Sequence, residues 1–227
     1  MKSYPLSHPW DVTPKEAVEI QKELRELLQL KWDNAPISRA AGIDVSYARG
    51  SKEGYAVVVV MGWPNLEEID IAWTKRDISF PYIPGLLSFR EAPLLLHAWE
   101  KLNHYPDLIF VDGQGIAHPR SMGLASHLGV LLDIPSIGCA KSPLVGGDPV
   151  VGDKRGDHAP LLYQGREIGV ALRTRVGVKP LYISPGHRID LRTSIHWVLR
   201  ACGSYRLPEP LRQAHIRANR LRSNIYH

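Results

Sequence analysis

The sequence predicts an α/β protein built on a mixed β-sheet flanked by helices, and three observations predict it. Three strand-like runs, Ala40–Ala48, Gly54–Gly62 and Leu66–Arg76, are separated only by the short turns Arg49–Glu53 and Trp63-Pro64-Asn65, the spacing of an antiparallel meander. Helical and strand-like segments then alternate, which adds later strands in parallel to the same sheet. The run Val57-Val58-Val59-Val60 is apolar at every position, as expected of a strand covered on both faces.

The elements follow in order. Thr13-Pro14-Lys15-Glu16 has the form of a capping box with proline at the first helical position. Ala17, Ile20, Leu24, Leu27 and Leu28 continue at helical spacing to about Leu30. After the meander, Ser88–Leu102 reads as a helix, Asp107–Asp112 as a buried strand, Ser121–Leu132 as a helix and Pro135–Ala140 as a short strand. Tyr163-Gln164-Gly165-Arg166 reads as a hairpin turn into Ile168–Thr174, and Leu181–Ser184 as one more strand. Two helices, Leu191–Ala201 and Glu209–Ser223, close the chain. Val145–Pro160, rich in Gly, Asp and Pro, is expected to be a mobile loop. No repeat or linker divides the chain, so residues 1–227 are read as one domain.

Composition narrows the class further. With 227 residues, 44% of them hydrophobic, the chain can bury a core without staples, which excludes disorder, collagen and coiled coil. Cys139 and Cys202 are too few for a disulfide scaffold or a cysteine zinc site. The start, Met1-Lys2-Ser3-Tyr4-Pro5, lacks the apolar stretch of a signal peptide, and no 18-residue apolar run follows. A soluble, cytoplasmic protein is expected, with no membrane partner. The net charge of +5 is unevenly spread. Residues 1–113 hold 12 basic and 16 acidic side chains, whereas residues 160–227 hold 12 basic and 3 acidic. A basic region of this kind fits a polyanionic partner or a plain Arg-rich solvated surface equally well.

Several residues invite chemistry. Asp44, in Gly42-Ile43-Asp44-Val45, and Asp112, ending Leu108-Ile109-Phe110-Val111-Asp112, are carboxylates on apolar strands. Burying them is costly unless they are paired or bind a cation. Each also has an ordinary reading, Asp112-Gly113 as a turn dipeptide and Asp44 as a carboxylate satisfied by backbone donors. Glu91 closes Ser88-Phe89-Arg90-Glu91, which by spacing is a capping box. Should the three carboxylates converge, the oxygen-rich site would suit Mg²⁺ or Mn²⁺. Gly113-Gln114-Gly115 allows close approach of a backbone or a flat ligand but lacks the lysine of a phosphate-binding loop. Lys141 follows a short strand and by spacing is a solvated loop lysine. Phe80-Pro81-Tyr82-Ile83-Pro84-Gly85 is a stiff loop with apolar side chains, suited either to insertion between bases or to covering the core. On the last helix, Leu211, Ala214, Ala218, Leu221 and Ile225 form an apolar stripe with His215 at its edge, while Arg212, Arg217 and Arg220 fall away from it.

Taken together, these stretches resemble the endonuclease V family. The resemblance is carried by Ala41-Gly42-Ile43-Asp44-Val45, by Phe80 through Glu91, and by Val111-Asp112-Gly113-Gln114-Gly115 with His118-Pro119-Arg120. Gly123 to Gly129, Ile137 to Ser142, Ser184 to Arg188 and Tyr205 to Pro210 continue it, so that it runs from about residue 13 to about residue 222. It implies a ribonuclease H-like fold and a probe of damaged DNA. Asp44, Glu91 and Asp112 match the family's metal-binding carboxylates, with Mg²⁺ as the metal and Mn²⁺ able to substitute. His215 matches an additional active-site residue, which is Asp in some relatives, and Lys141 a lysine acting on the scissile phosphate or the attacking water. Pro81, Tyr82, Ile83 and Pro84 match a wedge that fills the gap left by an extruded base. Leu87, Gly113, His118, Gly123 and Gly138 match the lining of a hypoxanthine pocket. The activity implied is nicking of the second phosphodiester bond 3′ to deoxyinosine in DNA, leaving 3′-hydroxyl and 5′-phosphate ends, by a monomer. The alternatives are an endoribonuclease acting on inosine RNA or single strands, and a non-catalytic inosine-binding module on the same fold.

Overall fold

The computed structural model describes residues 5–48 and 50–223. One eight-stranded sheet runs through them in the order β3-β2-β1-β4-β5-β8-β7-β6. β1 (Arg39–Tyr47), β2 (Glu53–Gly62) and β3 (Glu68–Asp77) form the expected antiparallel meander, and the first turn begins at Arg49, outside the described residues. β4 (Leu108–Val111) and β5 (Ser136–Ala140) join β1 in parallel. β8 (Leu181–His187) then pairs antiparallel with β5, and the hairpin β6 (His158–Tyr163) and β7 (Arg166–Leu172) finishes the sheet.

Helices cover both faces because the strands are apolar on both. Val58 and Val60 of β2 pack with α2 (Leu87–Trp99) and α3 (Leu124–Leu132), whereas Val57 and Val59 meet Ala214 and Ala218 of α5 (Glu209–Ser223). In β4, Ile109 and Val111 face the first of these layers, and Leu108 and Phe110 face α4 (Leu191–Ala201) and α5. The period-2 alternation of strand side chains thus feeds two cores at once. Each fully buried valine stabilises the fold by about 1.5–3 kcal/mol. Cys139 and Cys202 are unpaired and buried in the α4–α5 layer.

The local signals hold in part. α1 (Pro14–Arg25) carries the expected capping box, with Glu16 N donating to Thr13 Oγ1 at 3.3 Å and Thr13 N to Glu16 Oε2 at 2.7 Å. It stops at Arg25, short of Leu30, because the Leu27 and Leu28 amides bond carbonyls three residues back rather than four. α2 starts at Leu87 behind an N-cap at Leu86, so Ser88 lies inside the helix and the Ser88–Glu91 capping box does not form. α2 also ends at Trp99 rather than Leu102, and α3 begins at Leu124 rather than Ser121. α4 and α5 span the expected residues.

The segment expected to be a mobile loop is instead tied down. His158–Pro160 belong to β6. The Arg173 guanidinium donates to the Gly152 and Val151 carbonyls at 3.0 and 3.2 Å, and Gly156 N donates to Arg173 O at 2.8 Å. Among the described residues no helix is long and apolar enough to cross a membrane.

Candidate active site

Register brings the two aspartates together. Ile43 of β1 is opposite Val111 of parallel β4, and Asp112 N donates to Ile43 O at 3.1 Å. The next residue of each strand is therefore a carboxylate at the same sheet edge, the carboxyl end of a parallel pair, where α/β proteins place ligands. α5 lies directly on β1 because position 42 has no side chain. A Cβ on Gly42 would fall 2.1 Å from the Pro210 carbonyl carbon and oxygen. That close approach delivers His215 to the carboxylates, with its Nδ1 2.8 Å from Asp44 Oδ2 and 4.0 Å from Asp112 Oδ2. Lys141, one residue past β5, is an exposed loop lysine as its spacing suggests, yet it is held in the site. Its ammonium donates to Asp112 Oδ2 and lies 3.5 Å from His215 Nδ1.

Glu91 enters from α2, buried, and opens on the same cleft as Asp44 and Asp112, a space of about 280 Å³ also lined by Leu87 and Tyr47. Its burial, then the charges of Asp44 and Asp112, push the Glu91 carboxyl well above the usual range. Asp112 is raised for the same two reasons, burial and Asp44, and Lys141 pulls it partly back. Lys141 thus pairs with Asp112, and the Arg90 guanidinium offsets the raised Glu91 only in part. Asp44, Asp112 and His215 also offer one ligand atom each within 4.8 Å of one another. The carboxylate oxygens fit a hard divalent cation, which would relieve the repulsion that adds to burial in raising Glu91 and Asp112.

A second cavity, of about 270 Å³, opens beside the cleft and shares Leu87 and Asp112 with it. Tyr82, Ile83 and Pro84 form its rim, and Tyr82 stands 66% exposed at the tip of the proline-bracketed loop, while Phe80 and Ile83 pack on the core cluster of Ala17, Leu86 and Phe89, so the loop covers the core and projects a tip at once. Leu87, Gly113, His118 and Gly123 line this cavity. Gly138 does not. A Cβ there would meet Gly115 N at 2.3 Å, so Gly138 lies behind the wall and lets the 113–115 loop sit against β5. Gly123 similarly admits the Gln114 carbonyl, 2.3 Å from where its Cβ would be.

Both ring nitrogens of His118 are engaged within the protein. Nε2 donates to Gly85 O at 2.9 Å, and Nδ1 accepts from Arg120 N at 3.1 Å. Burial lowers its pKa to about 4. Gly85 O, at the root of the wedge, also accepts from Arg120 Nη2 at 2.7 Å and from the fully buried Gln21 at 3.1 Å. Sequence reasoning missed Gln21, a polar residue on the buried side of α1 with Ala17 and Leu24, and it missed Gln114. The latter donates through Nε2 to Ser142 O at 2.9 Å and leaves Oε1 buried without a protein partner beside the cavity. Gln21 is marked by its place at helical spacing between Ala17 and Leu24 on the apolar stripe of α1, whereas Gln114 depends on contacts between distant segments. The basic surplus of the last third is partly turned inward: Arg206 donates to Pro180 O at 2.7 Å, Arg212 pairs with Glu209 at 2.6 Å, and Arg217 pairs with Glu68.

The mixed sheet with acidic side chains at the ends of adjacent strands defines a ribonuclease H-like α/β protein. The sequence model of the Endonuclease V family matches residues 20–216, and the chain belongs to that family. It is 49% identical to Endonuclease V of Gloeobacter violaceus over 95% of this chain and 89% of that protein. It is also 49% identical to Endonuclease V of Myxococcus xanthus, over 94% and 91%. Among solved structures, Endonuclease V of Streptomyces avermitilis aligns with a TM-score of 0.90 at 41% identity, covering 98% of both chains. Endonuclease V of Ciona intestinalis, in complex with a 23mer DNA containing an inosine followed by a ribo-adenosine, aligns with a TM-score of 0.81 at 27% identity, over 94% of this chain and 100% of that one.

Proposed function

We propose that this chain is a metal-dependent DNA repair endonuclease that flips deoxyinosine out of the helix. It hydrolyses the second phosphodiester bond on the 3′ side, leaving 3′-hydroxyl and 5′-phosphate ends. One observation carries the reading: the wedge-rimmed cavity and the acidic cleft share the wall formed by Leu87 and Asp112. A base held in the first leaves its own strand's backbone beside the second. The Ciona relative's complex with inosine-containing DNA supports the choice of base.

Flipping costs a few kcal/mol, less for a mispaired base. Tyr82, stiffened by Pro81 and Pro84, fills the vacated space while Ile83 backs it. Hypoxanthine carries a ring N–H where adenine has a lone pair, and Gln114 Oε1 is a buried acceptor in want of a donor. Asp44, Asp112 and Glu91 would hold Mg²⁺, with Mn²⁺ able to replace it. The cation supplies stabilisation of the charge that develops on the phosphate and a lowered pKa for the attacking water. Lys141 adds positive charge at the scissile phosphate without transferring a proton. The active unit is one domain acting as a monomer. The ribo-adenosine in the Ciona complex favours, as a second reading, an inosine-directed ribonuclease.

Matched DNA and RNA oligonucleotides, each with and without one inosine, separate these readings when incubated with Mg²⁺ or EDTA. Inosine-dependent nicking of DNA that requires metal is expected, abolished by Asp112→Asn with binding largely kept. Cutting independent of inosine, or in EDTA, overturns the proposal, and faster cutting of the RNA selects the second reading.

A further inference from the structure

We infer that Asn219 is a positioning residue that fixes the tautomer of His215, making the imidazole a hydrogen-bond donor to Asp44 rather than a ligand to the cation. The inference rests on the nuclease reading of the cleft. Asn219 lies one turn after His215 on α5. Its Nδ2 is 3.1 Å from His215 Nε2 and 3.0 Å from the His215 carbonyl oxygen, and its Oδ1 accepts from Ser46 Oγ at 2.9 Å. The carbonyl decides which end of the amide is which. An amide oxygen placed 3.0 Å from a carbonyl oxygen would have no proton between them, so the NH₂ group occupies that position.

The amide's two protons then go to the His215 carbonyl and to Nε2. A ring nitrogen that accepts carries no proton, so the neutral imidazole carries its proton on Nδ1, which points at Asp44 Oδ2, 2.8 Å away. Nδ1 keeps no lone pair for a metal. Of the groups around the cleft, Asp44, Asp112 and Glu91 remain as an all-oxygen donor set, the preference of a hard cation. The backbone geometry supports this arrangement. Asp44 and Ser46 are two apart on a strand, about 6.6 Å along one face, and His215 and Asn219 are four apart on a helix, about 6 Å. Two hydrogen-bonded rungs, Asp44 with His215 and Ser46 with Asn219, therefore form between β1 and α5.

The test reads the tautomer directly. Protein with ¹⁵N-labelled histidine is held in EDTA, and two-bond ¹H–¹⁵N spectra report which ring nitrogen carries the proton, the His215 signals being assigned by their loss in His215→Gln. The wild type is expected to show Nδ1 protonated and Nε2 bare. Asn219→Asp, whose carboxylate only accepts, adds a proton on Nε2 beside the one that Asp44 holds on Nδ1, giving the imidazolium, and Asn219→Ala gives a mixture. With Mg²⁺ and inosine DNA, Asn219→Asp lowers kcat about tenfold with KM unchanged, the scale typical of groups that orient metal ligands. A proton on Nε2 in the wild type, or the wild-type tautomer in Asn219→Asp, overturns the inference. If that variant does not fold, by circular dichroism, Asn219→Ala decides, and an unmixed wild-type pattern there overturns it. The spectra need neither substrate nor metal, so failure of inosine cleavage and failure of this inference are told apart.

Discussion

The root of the wedge and the acidic cleft meet at Leu87 and Asp112, yet they are built on opposite electrostatic principles. At the root, one carbonyl, Gly85 O, takes donors from Gln21, His118 and Arg120, and Gln21 in turn accepts from Arg120 Nε at 2.6 Å. Polar groups buried there are hydrogen-bonded within the protein, so the loop is rigid without help. In the cleft, Asp44, Glu91 and Asp112 line one space, Lys141 pairs with Asp112, and burial raises two of the three carboxyls. The wedge root is complete as folded, whereas the part that would cut would be completed by a cation.

Four measurements can break or sharpen that contrast. Gly42→Val should do most, because its side chain would strike the Pro210 backbone and push α5, with His215, away from Asp44. A stability loss of about 3 kcal/mol is expected from the overpacking, and about a 100-fold fall in nicking from the misplaced group. A stable, fully active variant would show that the close approach of α5 is dispensable.

The wedge root should weaken in acid. His118 titrates near 4 when folded against about 6.5 when unfolded, so the unfolded chain takes up the proton first as pH falls. Its contribution is full above pH 6.5 and lost progressively down to pH 4, at most about 3 kcal/mol. Denaturant midpoints at pH 7.5 and 4.5 should diverge less in His118→Gln than in the wild type; an identical drop in both would exonerate His118.

Tyr82→Ala should weaken binding to inosine DNA by about tenfold more than binding to undamaged DNA, within the 1–3 kcal/mol usual for an aromatic stacked on a base. Equal losses on both DNAs would refute insertion. The smallest effect is a gain. In EDTA, Glu91→Gln removes a buried acid crowded by two others, and melting should rise by about 2–4 °C for each kcal/mol recovered. Because the folded Glu91 pKa lies above its unfolded value, its cost is present at neutral pH and fades as pH falls toward 4, so the gain should vanish there. A variant that melts lower at pH 7 would show that Glu91 is satisfied without a cation.

What the sequence made legible was whatever is encoded locally or by a run of residues. The valine run announced a two-faced strand, Thr13-Pro14-Lys15-Glu16 announced α1, and a carboxylate ending an apolar strand announced Asp112. The same local logic misled at Glu91, where a good capping spacing is overruled because α2 begins one residue before Ser88 and turns Glu91 inward. It also read residues 145–160 as free, since the arginine that ties them down stands more than twenty positions away from Val151 and Gly152. Lys141 and His215 gained meaning by spacing alone only as a loop lysine and a boundary histidine. Their roles depend on where β5 and α5 end up against β1. Gln21 shows in the sequence only as a polar residue on the apolar stripe of α1, and Gln114 and Asn219 act through hydrogen bonds to segments remote in sequence.

The contact between β1 and α5 works as a vernier. Strand and helix repeats differ by about 0.6 Å per matched pair, so two rungs align and a longer ladder would drift out of step. Sliding α5 by one turn would bring Leu211 or Asn219 to the place of His215 opposite Asp44, and the bare backbone at Gly42 is the index mark that prevents it. The helix can therefore seat in one setting only, and the chemistry of the cleft is set by that indexing as much as by the side chains themselves.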